Sequence, residues 1–236
     1  MAEQSGHPYY LQNREKLLAE HRKMAEAGRA FAAQRYGEAL ADTLVHESLA
    51  EFEPLIPELP YVGGKRNPLT GNLVSSAGAL AVYRVMQQHG KPIEEAGELL
   101  YRLMETWIRR YPQLVRHLMG RYYLSRLSQR QSKRQAVLSL QRRYPADWVR
   151  IHVDGDGQAF EWGVDYLECG IVKFLCSQGA DELAPYLCLT DYALFGALGI
   201  GLTRTQTLAN GDERCDFRLN WGGEMARGWP PPWLEP

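Results

Sequence analysis

The sequence lacks any apolar run close to the ~18 residues that a membrane-spanning helix needs. Its first residues, MAEQSGHPYYLQNREK, are polar and contain no apolar core of a secretory signal. We therefore expect a cytoplasmic protein that has no membrane partner and keeps its thiols reduced. The 236 residues are 45% hydrophobic and 23% charged, which is ordinary globular composition and enough chain for one large or two small domains.

Acidic residues are absent between Thr106 and Ala146. The basic residues of this stretch are Arg109, Arg110, Arg116, Arg121, Arg126, Arg130, Lys133, Arg134, Arg142 and Arg143. This basic segment either packs against acidic helices or binds a polyanion. The first interpretation is favoured, because few aromatic residues are present to stack on bases and the net charge of the whole chain is only -1. No nucleic-acid partner is expected.

Several chemical motifs are also missing. The chain has no P-loop, no GxGxxG fingerprint, no HExxH motif and no catalytic-triad motif, and we predict no cofactor. All four cysteines lie between Tyr166 and Arg218, and none has the paired CxxC spacing that is usual for zinc. We therefore predict no metal site, which leaves core packing or nucleophilic catalysis as roles for the thiols.

The hydrophobic pattern changes from helical to alternating near residue 148. Helices are predicted for residues 11–36, 38–52, 73–89, 93–110, 112–142, 168–178 and 181–198. Alternating residues predict one hairpin over 148–164 and a second over 201–221, turning at Asn210-Gly211. The sequence thus predicts the α+β class, with an N-terminal helical bundle followed by a ββααββ antiparallel-sheet unit. We expect a helical region over 1–147 and an α+β region over 148–236, unless the two form one compact domain.

The second predicted hairpin has two chemically different faces. Thr203, Thr205 and Thr207 share a face with Asp216, Arg218 and Asn220, whereas Cys215, Phe217 and Leu219 lie on the other face. A two-residue loop at Asn210-Gly211 would pair Thr205 with Asp216 and Thr203 with Arg218. The polar face either meets water or binds a small polar substrate, with Arg218 or Arg204 holding a carboxylate.

Other candidate residues stand out individually. Cys169 is predicted close to a helix N-terminus, where unpaired N–H groups and the helix dipole lower a thiol pKa, so it is the best nucleophile candidate. Asp191 interrupts an apolar run, as a structural acid or a catalytic base would. His152 lies mid-strand, on the face of Arg150 and Asp154, and is either a satisfied imidazole or a site residue. Asn67 lies in a Gly-rich loop that could reach a site.

Three ordered tracts resemble the L-2-amino-thiazoline-4-carboxylic acid hydrolase family. They read DYLEC, GADELAPYLCLTDY and GLTRTQTLANGDERCDFR, within residues 154–218, and the stretch LPYVGGKRN over 59–67 is also similar. The resemblance implies a hydrolase that opens a C–S or C–N bond of a small cyclic amidine-like amino acid bearing a carboxylate. Family membership alone does not define the substrate.

The resemblance also suggests roles. Cys169 would attack the ring carbon, and Asp191 or Asp165 would move protons. The substrate-binding candidates are Arg204, Thr205, Thr207, Asp216, Arg218, Asn67 and His152. A second mechanism has a carboxylate activate water directly, with the cysteines structural. The alternative function is a non-catalytic small-molecule-binding module similar to vinyl-reductase-like domains, and a homo-oligomer is compatible with either.

Overall fold

A computed structural model describes residues 6–223 and Trp229. The helices are α1 Pro8–Gln12, α2 Arg14–Tyr36, α3 Glu38–Phe52, α4 Thr70–Gln88, α5 Ile93–Arg109, α6 Gln113–Leu124, α7 Arg126–Ser139, α8 Gly170–Ser177 and α9 Ala184–Leu198. The strands are β1 Val149–Asp154, β2 Trp162–Glu168, β3 Ile200–Thr203 and β4 Cys215–Trp221. The chain forms two compact units: unit 1 comprises Met1–Leu103 with Gly170–Leu187, and unit 2 comprises Met104–Cys169 with Cys188–Pro236.

Unit 1 is helical, and a buried histidine lies where three of its helices meet. His21 of α2 stacks on Phe52 of α3 and lies 3.2 Å, by its Nε2 atom, from the Ser48 hydroxyl. A Cβ at Gly78 of α4 would lie 2.7 Å from the Nδ1 atom of His21, so only glycine leaves room for the ring. Burial lowers the pKa of His21 to about 4, so the imidazole is neutral at physiological pH and serves as a core side chain.

Unit 2 contains a four-stranded antiparallel sheet with the strand order β1-β2-β4-β3. Arg150 pairs with Tyr166, Tyr166 pairs with Cys215, and Thr203 pairs with Arg218. The ladder between β1 and β2 shifts register between Val149 and Arg150. Because side chains alternate along each strand, these pairs assign every strand residue to one of two faces.

One face of the sheet, which we call the covered face, carries Arg150, His152, Trp162, Tyr166, Cys215, Phe217 and Trp221. Helices of unit 2 pack on it: Tyr123 of α6 stacks on Trp162 and meets Phe195 of α9 edge to face. Ser132 of α7 lies 3.0 Å from the Nδ1 atom of His152. The opposite face, which we call the open face, carries Ile151, Asp165, Thr203, Asp216, Arg218 and Asn220.

The predicted α+β class and the order ββααββ are confirmed. The predicted single helix over 112–142 is wrong, because the chain breaks into α6 and α7 at Ser125. Ser125 has an extended backbone, and its hydroxyl accepts a hydrogen bond from the Ser128 N–H group, which makes it the N-cap of α7. The second hairpin has the predicted Thr203–Arg218 pairing, but β3 ends at Thr203 and a short 3₁₀ helix, Leu208–Asn210, precedes the turn.

We predict that Gly120→Ala lowers the free energy of unfolding by about 1–3 kcal/mol, in the range of core overpacking. A Cβ at Gly120 of α6 would lie 2.3 Å from the carbonyl oxygen of Leu198 and 3.1 Å from the ring of Trp221. Gly71→Ala is the control, since its Cβ in α4 meets no atom within 4 Å. Thermal unfolding measures both, and equal midpoints for the two variants would contradict the packing described for α6.

Candidate functional site

A buried ion pair joins α9 to the loop after β3. The Arg204 Nη1 atom donates to the Oδ2 atom of Asp191 at 2.9 Å, and its Nη2 atom donates to the carbonyl oxygen of Cys188 at 3.0 Å. The guanidinium also lies over the rings of Tyr192 and Phe217, 5.0 and 5.1 Å from their centroids. Arg204 is therefore held from four sides, on the covered face of the sheet.

The two partners of this ion pair differ in exposure. The side chain of Arg204 is only 3% exposed, whereas that of Asp191 keeps 32% of its surface accessible. Burial raises the pKa of the Asp191 carboxyl above its usual range, although the charge and hydrogen bond of Arg204 oppose this rise. A carboxyl with a raised pKa that solvent still reaches is suited to exchanging protons with a ligand.

Three of the four cysteines lie near this ion pair. A charge on Cys169 contributes to raising the pKa of both Cys188 and Cys215. Burial is the main reason that the pKa of Cys188 is raised and that of Cys215 is raised to about 11. The Leu208 N–H group donates to the sulfur of Cys215 at 3.2 Å. These two thiols are protonated at neutral pH, which favours structural roles for them.

Cys169 differs from its neighbours in position. It is half-buried and is the residue immediately before α8, the position that the sequence analysis assigned to it. Its charge also raises the pKa of Tyr166, which extends the cluster of polar groups onto β2. Cys176, in contrast, is exposed on α8 in unit 1. Cys169 and Cys188 are both half-buried, and what distinguishes Cys169 is its position just before the N-terminus of α8.

Two tyrosines and an arginine complete the cluster on the covered face. Burial raises the pKa of Tyr166, and Arg150, by its charge and its hydrogen bond to the hydroxyl, opposes this rise. Burial also raises the pKa of Tyr123, and the charge of Asp191 contributes to that rise. Tyr166 meets Phe217 edge to face, with 5.4 Å between ring centroids. We refer to Tyr123, Arg150, Tyr166, Cys169, Asp191 and Arg204 as the site cluster.

The open face holds a separate set of the predicted residues. Asp165 accepts a hydrogen bond from Arg218 at 2.7 Å, and Arg214 lies 3.7 Å from its other oxygen. Asp216 accepts hydrogen bonds from the Thr205 N–H and hydroxyl groups at 2.8 and 2.6 Å, and from the Gln206 N–H group at 2.7 Å. We refer to this arrangement around Asp216 as the loop clasp.

The hydrogen bonds of the loop clasp also change the pKa of Asp216. Burial alone would raise the pKa of Asp216, but the hydrogen bonds from Thr205 and Gln206 outweigh it and hold the pKa below its usual value. Thr207 has a related local role, because its hydroxyl accepts from the Asn210 N–H group and caps the short helix before the turn. These contacts fix the shape of the loop.

The two remaining predicted residues lie elsewhere. His152 is on the covered face, where its ring stacks on Trp162 at 5.4 Å and its Nε2 atom lies 3.4 Å from the Oδ1 atom of Asp154. Burial lowers the pKa of His152, against the opposing charge of Asp154. Asn67 belongs to unit 1, where its Nδ2 atom donates to the Val62 carbonyl and its Oδ1 atom accepts from the Leu69 N–H group.

The structure therefore divides the predicted site residues between two faces of one sheet. Cys169, Asp191 and Arg204 belong to the site cluster, whereas Asp165, Thr205, Asp216 and Arg218 are engaged with one another on or beside the open face. Arg150, Tyr166 and Tyr123 were not among the residues predicted for the site. Strand alternation could have placed Arg150 and Tyr166 on one face, but the position of Tyr123 depends on how α6 packs.

Neither a metal centre nor a membrane segment is found in the described part of the chain. Within residues 6–223 and Trp229, no group of three or more His, Cys, Asp or Glu side chains is arranged to hold a metal ion. The helices among these residues are each too short or too polar to cross a membrane.

The fold and the site cluster define an α+β protein with an accessible thiol, an acid of raised pKa and two guanidinium groups on one face of its sheet. A family model described as L-2-amino-thiazoline-4-carboxylic acid hydrolase matches residues 72–219, more than half of the chain. The chain belongs to this family. The match includes the whole site cluster, but the 59–67 stretch lies outside it. No curated protein and no solved structure matches the chain.

We predict that iodoacetamide alkylates Cys176 well before Cys188 and Cys215 in the native protein at pH 8. Cys176 is exposed, and raised pKa values keep the other two thiols protonated at this pH. Peptide mapping by mass spectrometry measures the four rates, and guanidinium-unfolded protein is the control in which the rates converge. Native alkylation of Cys215 at the rate of Cys176 would show that the burial described for Cys215 is incorrect.

Proposed function

We propose that this protein is a hydrolase that opens the ring of L-2-amino-thiazoline-4-carboxylate or a close cyclic amidine-like amino acid. The observation that carries the proposal is the site cluster, which combines a half-buried thiol just before α8, Cys169, with a partly exposed acid, Asp191, inside the region that matches the hydrolase family. A thiol beside a proton-exchanging carboxyl is the arrangement that covalent hydrolysis needs. The ring opens at carbon 2, which is bonded to sulfur, a ring nitrogen and an amino group.

In the first step, the Cys169 thiolate attacks ring carbon 2 and the bond between that carbon and the ring sulfur breaks. The ring sulfur leaves as a thiol after taking a proton, for which Asp191 is the donor. The product of this step is an S-linked isothiourea on Cys169. Burial raises the pKa of Asp191 and so favours its protonated form, which is the form that donates a proton.

In the second step, water adds to the same carbon and the Cys169 thiolate leaves. Asp191, now ionised, accepts the proton from the water. The released product is an N-carbamoyl cysteine, and the enzyme thiol is regenerated. Arg204 supports both steps by holding Asp191 at 2.9 Å while its own charge stays buried. Asp165 is assigned a structural role in this mechanism, because it is paired with Arg218 on the open face.

A water-attack mechanism is the alternative within the same reaction. Asp191 would then activate water directly, and Cys169 would only pack against the substrate. The two mechanisms differ in whether a covalent adduct forms on Cys169. Intact-protein mass spectrometry after rapid mixing with L-2-amino-thiazoline-4-carboxylate, combined with product analysis, separates them. Tight binding of the compound without product would instead indicate the ligand-binding module considered in the sequence analysis.

We predict that Cys169→Ser reduces kcat for ring opening by at least about 1000-fold, because a hydroxyl near neutral pH is a far weaker nucleophile than a thiolate. Cys176→Ser is the matched control, since it makes the same chemical change at an exposed position of unit 1. Steady-state kinetics and adduct mapping measure the effect. Retained turnover in Cys169→Ser would rule out the covalent mechanism and leave water attack.

We predict that Asp191→Asn lowers kcat by about 100- to 10,000-fold, the range expected for a lost general acid-base group. The amide oxygen of asparagine can still accept the hydrogen bond from Arg204, but the buried guanidinium loses its counter-charge, so the variant is expected to be less stable than the wild type. Circular dichroism and thermal unfolding verify the fold before kinetics are compared. Asp165→Asn is the contrasting variant, and a larger loss of kcat there than in Asp191→Asn would reverse the assignment of the two acids.

A further inference from the structure

We propose that Arg150, supported by Tyr166, is the subsite that binds the carboxylate of the substrate. This inference rests on the proposed function and assigns the carboxylate to a residue outside the hairpin in which the sequence analysis sought it. The carboxylate would lie on the covered face of the sheet, beside the groups that open the ring.

The other arginines near the site already have carboxyl partners. Arg204 donates to Asp191 at 2.9 Å and Arg218 to Asp165 at 2.7 Å, so a carboxyl group of the protein already occupies each of these guanidinium groups. Within the described residues, no carboxylate forms an ion pair with Arg150, whose cross-strand neighbour is Tyr166. An un-neutralised guanidinium in a half-buried position is suited to bidentate binding of a carboxylate.

Arg150 also occupies a suitable position on the sheet. Arg150 of β1 pairs with Tyr166 of β2, which pairs with Cys215 of β4, so the three form one row across the covered face. Cys169 follows the end of β2, three residues after Tyr166, and the charges of Cys169 and Asp191 both contribute to the raised pKa of Tyr166. A small ligand on Tyr166 could meet Arg150 at one end and Cys169 at the other.

The backbone is irregular where it presents Arg150. The ladder shifts register between Val149 and Arg150, and such bulges redirect side chains and are frequent beside active sites. The Arg150 N–H group donates to the hydroxyl of Ser139 at 3.0 Å, and this hydroxyl also lies 3.2 Å from the Arg150 carbonyl oxygen. Ser139, the last residue of α7, therefore binds the backbone of Arg150 at the irregular start of β1.

Two ligands that differ only in the carboxylate provide the test. We expect Arg150→Gln to raise KM for L-2-amino-thiazoline-4-carboxylate by about 10- to 100-fold, as expected for a lost charged hydrogen bond, with a smaller effect on kcat. The inhibition constant of 2-amino-2-thiazoline, which has the ring but no carboxylate, should not change. Arg150→Lys should recover part of the loss, because lysine keeps the charge but not the planar fork.

Matched variants separate recognition from folding. Arg134→Gln removes the same charge from an exposed position of α7 and should leave both constants unchanged. Tyr166→Phe keeps the ring and removes the hydroxyl, so it should raise KM for the carboxylate substrate less than Arg150→Gln does. Equal loss of affinity for both ligands in Arg150→Gln, or no loss for either, would overturn the assignment.

A second measurement keeps this inference separate from the proposed reaction. Phenylglyoxal modifies arginine side chains, and peptide mapping reports the rate at each position. Millimolar L-serine, a carboxylate without the ring, should slow modification of Arg150 and leave Arg134 unaffected. If the wild-type protein neither binds nor turns over the thiazoline, the proposed function is wrong. Protection by L-serine would still show whether Arg150 binds a carboxylate. Equal rates with and without L-serine would exclude this subsite.

Discussion

The ion pair between Asp191 and Arg204 is the interaction on which the site depends. It fixes the loop after β3 to α9 and places a guanidinium between the rings of Tyr192 and Phe217. Breaking such a pair by removing one partner leaves an uncompensated buried charge, which is strongly unfavourable. The same pair sets the protonation of Asp191, because burial and the guanidinium act on its pKa in opposite directions. The contact that holds the loop after β3 in place therefore also acts on the pKa of the candidate acid.

The sheet places polar residues that are neighbours in the sequence on opposite faces. Alternation sends Tyr166 to the covered face and Asp165 to the open face, although they are adjacent in the chain. On the open face, Asp165 is buried and accepts a hydrogen bond from Arg218, so removing either partner would leave a poorly solvated charge unpaired. On the covered face, low polarity strengthens each charge, and an unpaired guanidinium there has more influence on a ligand than one at the surface.

Local signals made the sheet predictable, and long-range packing limited the prediction of the site. Alternating residues and Asn210-Gly211 were sufficient to predict the antiparallel strands and the pairing of Thr203 with Arg218. The position of Cys169 before a helix followed from the same local pattern. The partner of Arg204 could not be read from the sequence, because its side chain turns to α9 through contacts that depend on tertiary packing. The break at Ser125 was missed because a capping serine inside a helical pattern is a weak signal.

The loop clasp has an evolutionary consequence. The Asp216 side chain accepts hydrogen bonds from the Thr205 and Gln206 N–H groups and adds to the backbone hydrogen bond from Asp216 N–H to the Gln206 carbonyl, so the ends of the loop are tied together before its tip begins. Changes in length between Thr207 and Arg214 would then leave Arg204 in place. Insertions concentrate at exposed tips of this kind, whose ends are fixed. Natural variation could therefore reshape this tip, or fuse a new segment to it, without altering the residues that surround the reacting carbon.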